Sequence, residues 1–190
     1  MAVPLLDLKR QYQPMRDEIM DVIDRVCDSQ YFILGPEVQA FEEEAAAALD
    51  VDRAVGVSSG TDALLIALTA LEVGPGDEVV VPTFTFFATA GVVSRLGARP
   101  VFVDIDPVDF CMDPDGLATA IGPRTKAIIP VHLFGQAADM ESIARTAGEI
   151  PVIEDCAQSW GADYNGTMTG GLGDMGAFSF FPSKNLGGFG

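Results

Sequence analysis

The sequence predicts an α/β fold: a mainly parallel sheet with helices on both faces. Three observations point there. Short apolar runs alternate with stretches of helical periodicity, which is the element order of helical crossovers between parallel strands. The runs are apolar on successive residues, as in strands buried on both faces. Apolar residues make up 48% of the 190 positions and charged residues 21%, a composition that packs into a core and fits one domain or part of a larger one.

The elements follow in order. Met15, Ile19, Met20, Val22, Ile23 and Val26 recur at helical spacing and predict a helix over Tyr12–Cys27. Gly35-Pro36-Glu37 then opens a second helix to about Leu49, with proline at its first position. These helices form a lead-in, with residues 1–35 set apart from a domain spanning 36–190. Strands are expected at Ala54–Ser58, Glu78–Val81, Arg99–Val103, Lys126–Val131 and Val152–Glu154. Helices are expected at Thr61–Leu71, Phe87–Leu96, Pro114–Ile121 and Met140–Ala147. Asp113 before Pro114 is a cap followed by a first-turn proline, and Val73-Gly74-Pro75-Gly76-Asp77 stops one helix and turns into the next strand.

Charge narrows the partners. The net charge of −17 repels a nucleic-acid backbone or an anionic membrane over most of the surface, so an anionic ligand needs a local site. The acidic residues form no long run and read as a solvated surface. Cys27, Cys111 and Cys156 make no CxxC pair and read as reduced thiols, without a metal cluster or a disulfide framework. No apolar stretch reaches the ~18 residues of a membrane span, and Met1 to Gln11 lacks the pattern of a secretory leader, so a cytoplasmic protein is expected.

In doubly covered sheets ligands sit at the carboxyl ends of the strands, and three segments there could carry chemistry. Ser58-Ser59-Gly60-Thr61-Asp62 joins a strand to a helix. Its exposed amides and helix dipole suit a phosphate, Gly60 permits close approach and Thr61 adds a hydroxyl, yet the same residues are ordinary helix caps. Pro151-Val152-Ile153-Glu154-Asp155 ends an apolar strand in carboxylates. An ionised carboxylate buried there needs a compensating cation, and the protonated ring nitrogen of pyridoxal phosphate would be one; a capping or surface carboxylate is the plainer reading. Asp155 is preferred over Glu154, which precedes the strand end. Lys184 follows the aromatic run Phe178-Ser179-Phe180-Phe181 and precedes glycines, and it is one of three lysines, with Lys9 and Lys126. An aromatic setting can desolvate a Schiff-base lysine, although a surface lysine also satisfies this segment alone.

Together these segments, with Pro82-Thr83-Phe84-Thr85-Phe86-Phe87-Ala88-Thr89-Ala90 and Pro130-Val131-His132-Leu133-Phe134-Gly135-Gln136, resemble the DegT-type sugar aminotransferases. These are fold-type I pyridoxal-phosphate enzymes that act on nucleotide-linked keto sugars. The resemblance runs from about Val3 to the end and implies the large cofactor-binding domain of that fold. It implies that Lys184 forms the Schiff base and moves the substrate proton, Asp155 pairs with the ring nitrogen, Gln158 lies near the ring hydroxyl and Phe86 stacks on the ring. Gly60, Thr61 and Ser179 match phosphate-holding positions. Many relatives carry histidine at the Gln158 position. Relatives that dehydrate sugars replace the lysine with histidine, so Lys184 favours transamination. A homodimer, with glutamate as amino donor, is implied in the same way.

His132, the single histidine, reads as a satisfied structural residue rather than a base, and Cys156 as a small buried residue. Family chains are about twice as long as this one and continue into a C-terminal domain, so the sequence reads as the N-terminal half of a longer product. A pyridoxal-phosphate lyase or dehydratase and a non-catalytic module are the alternatives. Formation of amino sugar with consumption of glutamate separates the first from transamination, and a visible cofactor chromophore separates the second.

Overall fold

The computed structural model describes residues 3, 4 and 6–189. The chain divides into two compact units, residues 1–56 and 57–190. The sequence placed a division after residue 35; the packing keeps both lead-in helices in the first unit.

That unit holds α1 (Leu8–Ser29) and α2 (Pro36–Leu49). α1 starts a turn earlier than its apolar spacing indicates, and its C-terminus closes at Gln30, whose left-handed backbone returns its N–H to Val26 and Cys27 carbonyls. α2 opens with Pro36 at the first position and buries Ala45 and Leu49. The strand expected at Ala54–Ser58 does not form. Apolar residues alone do not make a strand without a ladder partner, and the Gly56 N–H instead donates to the Glu42 carboxylate at 2.6 Å.

The second unit is a parallel sheet with helices on both faces. β1 (Glu78–Pro82) lies between β2 (Arg99–Val103) and β3 (Thr125–Ile128), all parallel, and β4 (Ile153–Asp155) pairs parallel with β7 (Met175–Ala177). Parallel bridges Ile128 to Val152 and Val131 to Asp155 join the two ladders, giving the order β2-β1-β3-β4-β7. Strand alternation then sorts the core. Val79, Val81, Ala127, Ile129 and Ile153 face Leu64 and Leu68 of α3 (Gly60–Ala70) and Val92 and Val93 of α4 (Ala88–Arg95). Val80, Ile128 and Val152 face Leu117 of α5 (Pro114–Ala120) and Met140 and Ile143 of α6 (Met140–Ala147). The α/β expectation, with helices on both faces, is what the chain forms.

Caps explain the helix starts. Ser59, Asp113 and Asp139 each accept an amide N–H of the first turn of α3, α5 and α6. The strand expected over Lys126–Val131 ends its regular pairing at Ile128, because Pro130 has no N–H to give the ladder. A short antiparallel hairpin, β5 (Asp163–Tyr164) and β6 (Thr167–Met168), follows β4. β7 lacks an apolar signature because its centre is Gly176. A Cβ there would lie 2.6 Å from the Gly170 backbone, so the strand needs glycine.

At the amino ends of the strands, the buried Glu78 carboxylate is bridged by Arg99 at 2.6 Å and by Arg124, tying β1, β2 and β3 together. The Arg99 hydrogen bond chiefly holds the Glu78 carboxyl below its usual range.

Glu154 organises the opposite half. It is wholly buried, and its carboxylate accepts four bonds: from His132 Nε2 at 2.8 Å and the amides of Gly170, Leu172 and Gly173 at 2.7, 2.8 and 2.7 Å. His132 Nδ1 accepts the Ala138 N–H at 3.0 Å, which leaves the proton of a neutral ring on Nε2, directed at Glu154. Burial is the largest influence on Glu154 and raises its pKa, but the bonds from His132, Gly170 and Gly173 outweigh it and the net shift is downward. His132 is therefore the satisfied structural histidine expected of it. Replacing Glu154 with Gln puts an NH2 group against amide donors. Glu154→Gln is expected to lower stability by about 2–3 kcal/mol, read as a lower urea midpoint.

Candidate active site

β4 presents two consecutive carboxylates, and alternation sends them to opposite faces. Glu154 enters the His132 network, while Asp155 turns to the α3/α4 face. Asp155 closes the ladder at the carboxyl end of β4, its N–H bonded to the Pro130 carbonyl and its carbonyl to the His132 N–H. It is only 5% exposed. Its Oδ2 accepts the Thr89 hydroxyl at 2.8 Å and its Oδ1 the Ala157 N–H at 3.2 Å. Among the described residues no ion pair within 4.0 Å involves Asp155. Burial, the dominant influence, pushes its carboxyl pKa up; the two hydrogen bonds and the more distant positive charge of Lys184 pull against it.

The lysine segment is tied to the loop after β4. The Trp160 ring meets Phe178 and Phe180 edge-on at 5.1 and 5.5 Å, and Asn185 Nδ2 donates to the Trp160 carbonyl at 2.6 Å. Lys184, on a turn closed by its own N–H to the Phe181 carbonyl at 2.8 Å, is half-buried. Sequence separation hides these tethers, although the aromatic run and the single tryptophan were visible.

Gly60 and Ser179 meet. A Cβ on Gly60 would lie 2.8 Å from Ser179 Cβ and 3.0 Å from the Phe178 carbonyl oxygen, so only glycine lets the start of α3 approach the lysine segment this closely. Ser59 caps the Asp62 amide at 3.1 Å, leaving the Gly60 and Thr61 amides of the first turn without a recorded acceptor among the described residues. The Asp62 carboxylate sits in that same turn, where it would oppose an anion. It is instead engaged by the Ser58 and Ser59 hydroxyls at 2.6 and 3.0 Å, with Arg95 at 3.9 Å. Asp62 and Arg95 were not singled out from sequence.

Gln158 Oε1 accepts the Phe134 N–H at 2.7 Å, which directs its NH2 group elsewhere as a donor. Phe134 has a left-handed backbone with φ of 57°, a strained value for an aromatic residue, and this bond helps to hold it. Phe86 is 70% exposed one turn before Thr89, its ring open to a ligand. His132, Glu154 and Cys156 place possible metal-ligand atoms within 4.8 Å of one another. The hydrogen bonds of the first two already occupy them. Burial, then the Glu154 charge, pushes the Cys156 thiol well up, so it stays a protonated, inert thiol. A cavity of about 330 Å³ lies at the other end of the sheet, beside Glu78, Arg99 and Arg124, away from all these groups.

A buried, ionisable carboxylate, a nearby lysine, an exposed aromatic and a helix start with open amides fit the donor set that pyridoxal phosphate requires. The raised Asp155 pKa has a consequence without the cofactor. Its folded value exceeds the ordinary 3.8, so the folded state binds the extra proton. Stability contributed by this group therefore falls as pH rises from near 4 through the raised value. Asp155→Asn removes that dependence. The cofactor-free variant is expected to melt a few degrees above the parent at pH 7, with the difference closing towards pH 4 in a calorimetric pH series.

Residues 13–190 match the DegT/DnrJ/EryC1/StrS aminotransferase family. The chain is 55% identical over 188 residues to the UDP-N-acetyl-3-dehydro-alpha-D-glucosamine 3-aminotransferase of Acidithiobacillus ferrooxidans, covering 98% of this chain and 51% of that protein. Among solved structures it resembles S. venezuelae DesV in complex with a ketimine intermediate, with TM-score 0.96, 47% identity, and coverage of 99% of this chain and 51% of that one. It also resembles NtdA from Bacillus subtilis with bound cofactor PMP, with TM-score 0.90, 39% identity, and coverage of 97% and 42%. The chain thus spans about half the length of the relatives it matches. These neighbours have the fold-type I arrangement, and with the family they point to pyridoxal phosphate as cofactor. No helix among the described residues is long and apolar enough to cross a membrane. By sequence and by fold, the chain belongs to the DegT/DnrJ/EryC1/StrS aminotransferase family.

Proposed function

We propose that the protein carrying this chain is a pyridoxal-phosphate aminotransferase that moves an amino group, from glutamate, onto a keto group of a nucleotide-linked sugar, acting as a homodimer. The observation that carries the reading is Asp155: a buried carboxylate at the carboxyl end of a central strand, without an ion-pair partner within 4.0 Å among the described residues and under the field of Lys184. Such a group is costly unless a cation arrives to share its site. The sugar-acting relative supports the substrate class.

Pyridoxal phosphate, when bound, supplies an aldehyde for amino groups and a ring that takes up the electron pair released by a breaking C–H bond. The chain's own groups divide the remaining work. Asp155 holds a proton on the ring nitrogen by its negative charge, which Thr89 and Ala157 keep oriented. Lys184 would hold the aldehyde through its amine and would carry the proton taken from the substrate carbon. Phe86 covers a ring face, and Gln158, oriented by the Phe134 amide, offers its NH2 to the ring oxygen. The Gly60 and Thr61 amides with the Ser179 hydroxyl receive the phosphate at the α3 start, which supplies local positive potential in a chain of charge −17.

Borohydride reduction after incubation with pyridoxal phosphate, followed by peptide mass mapping, tests the cofactor site. A pyridoxyl adduct is expected on Lys184 and not on Lys9 or Lys126, and it is expected to vanish in Lys184→Ala. An adduct spread evenly over the three lysines would refute the assignment. Glutamate-dependent formation of an amino sugar from a nucleotide-linked keto sugar tests the reaction.

A further inference from the structure

Thr89 is not among the residues the family resemblance nominated, yet it makes the only side-chain hydrogen bond to Asp155 recorded among the described residues, at 2.8 Å. It is the second residue of α4 and is wholly buried. A threonine inside a helix ordinarily satisfies its hydroxyl on the carbonyl one turn back, and it is a weaker helix former than alanine or leucine. Here the hydroxyl instead reaches across 66 residues of sequence to Oδ2 of Asp155. Behind it, Thr85 Oγ1 lies 3.4 Å from Thr89 Oγ1 and extends the chain of hydroxyls. The Ala157 amide holds the other oxygen at 3.2 Å, so the two donors grip the carboxylate from two sides and fix its rotation about the last side-chain bond. The first turn of α4 adds the favourable end of the helix dipole on the same side.

The same short turn carries Phe86, whose carbonyl accepts the Thr89 N–H at 3.3 Å. Thr89 thus stands between the aromatic assigned to the ring face and the carboxylate assigned to the ring nitrogen.

From this geometry we infer that Thr89 is a positioning residue for the cofactor: its hydroxyl orients the Asp155 carboxylate towards the ring nitrogen, while its turn holds Phe86. The inference rests on the proposed pairing of Asp155 with that nitrogen. A hydrogen bond from a hydroxyl to a buried carboxylate is one of the stronger neutral-to-charged contacts, and valine would preserve the volume while deleting it.

The test compares Thr89→Val, Thr89→Ser and Asp155→Asn with the parent in two readouts besides turnover: the dissociation constant for pyridoxal phosphate, and the 15N resonance of cofactor labelled at the ring nitrogen. Thr89→Val is expected to weaken binding by roughly tenfold to a hundredfold and to move the 15N signal towards the unprotonated form. Thr89→Ser, which keeps the hydroxyl, is expected to restore most of both, with all three proteins melting as folded species. Parent-like affinity and 15N signal in Thr89→Val would overturn the inference, as would equal losses in the valine and serine variants, which would trace the effect to the methyl group. If Asp155→Asn leaves the 15N signal unchanged, the pairing of Asp155 with the ring nitrogen fails and the inference fails with it. A changed signal in Asp155→Asn beside an unchanged one in Thr89→Val refutes the role of Thr89 alone.

Discussion

Two adjacent carboxylates at the end of a buried strand set the terms for the rest of the second unit. A charged side chain in such a place is tolerated only with partners, and alternation along β4 demands a separate solution on each face. On the α5/α6 face, Glu154 accepts four bonds and holds His132 and the backbone of the Gly170–Gly173 loop. That loop leads into β7, which pairs with β4 and runs into the lysine segment. On the α3/α4 face, Asp155 receives two donors and, among the described residues, no cation in contact, and burial biases it towards protonation. One carboxylate is thus fully engaged in structure and the other is left with two donors, a division that follows from the number of donors each face provides.

The candidate site is assembled by tethers to the carboxyl ends of the strands. Trp160 and Asn185 bind the lysine segment to the loop after β4, Gly60 admits Ser179 against the start of α3, and Thr89 reaches Asp155 from the start of α4. Helix starts and strand ends converge there because every strand in the sheet runs the same way. The starts of α3 and α4 therefore lie at the same edge of the sheet, the end of a helix whose dipole favours an anion. The Asp62 carboxylate, in the first turn of α3, is engaged there by two serine hydroxyls and Arg95.

Much of this could be read from local chemistry. Proline and cap residues marked the starts of α2, α3 and α5, and unbroken apolar runs marked β1 and β2. Two failures have opposite causes. Ala54–Ser58 has the composition of a strand but no ladder partner, and β7 has a ladder partner but a glycine at its centre. Pairing, not composition, decides a strand of three to five residues. The sequence ranks Asp155 above Glu154 by its place nearer the strand end; what it does not show is that one residue of alternation turns Glu154 to the other face and into four bonds.

What the sequence determined by itself was whatever depends on neighbours along the chain: helix caps, apolar periodicity, the α/β class, the scarcity of lysine, and the motifs around Gly60, Asp155 and Lys184. Only the tertiary structure decided which of these groups meet. Thr89 and Asp155 are 66 residues apart, Trp160 and Asn185 are 25 apart, and His132 and Glu154 are 22 apart. Contacts at such separations are set by the order and direction of strands in the sheet. The ionisation of a buried carboxylate depends in turn on those contacts, because removal from water makes its nearest donors and charges decisive.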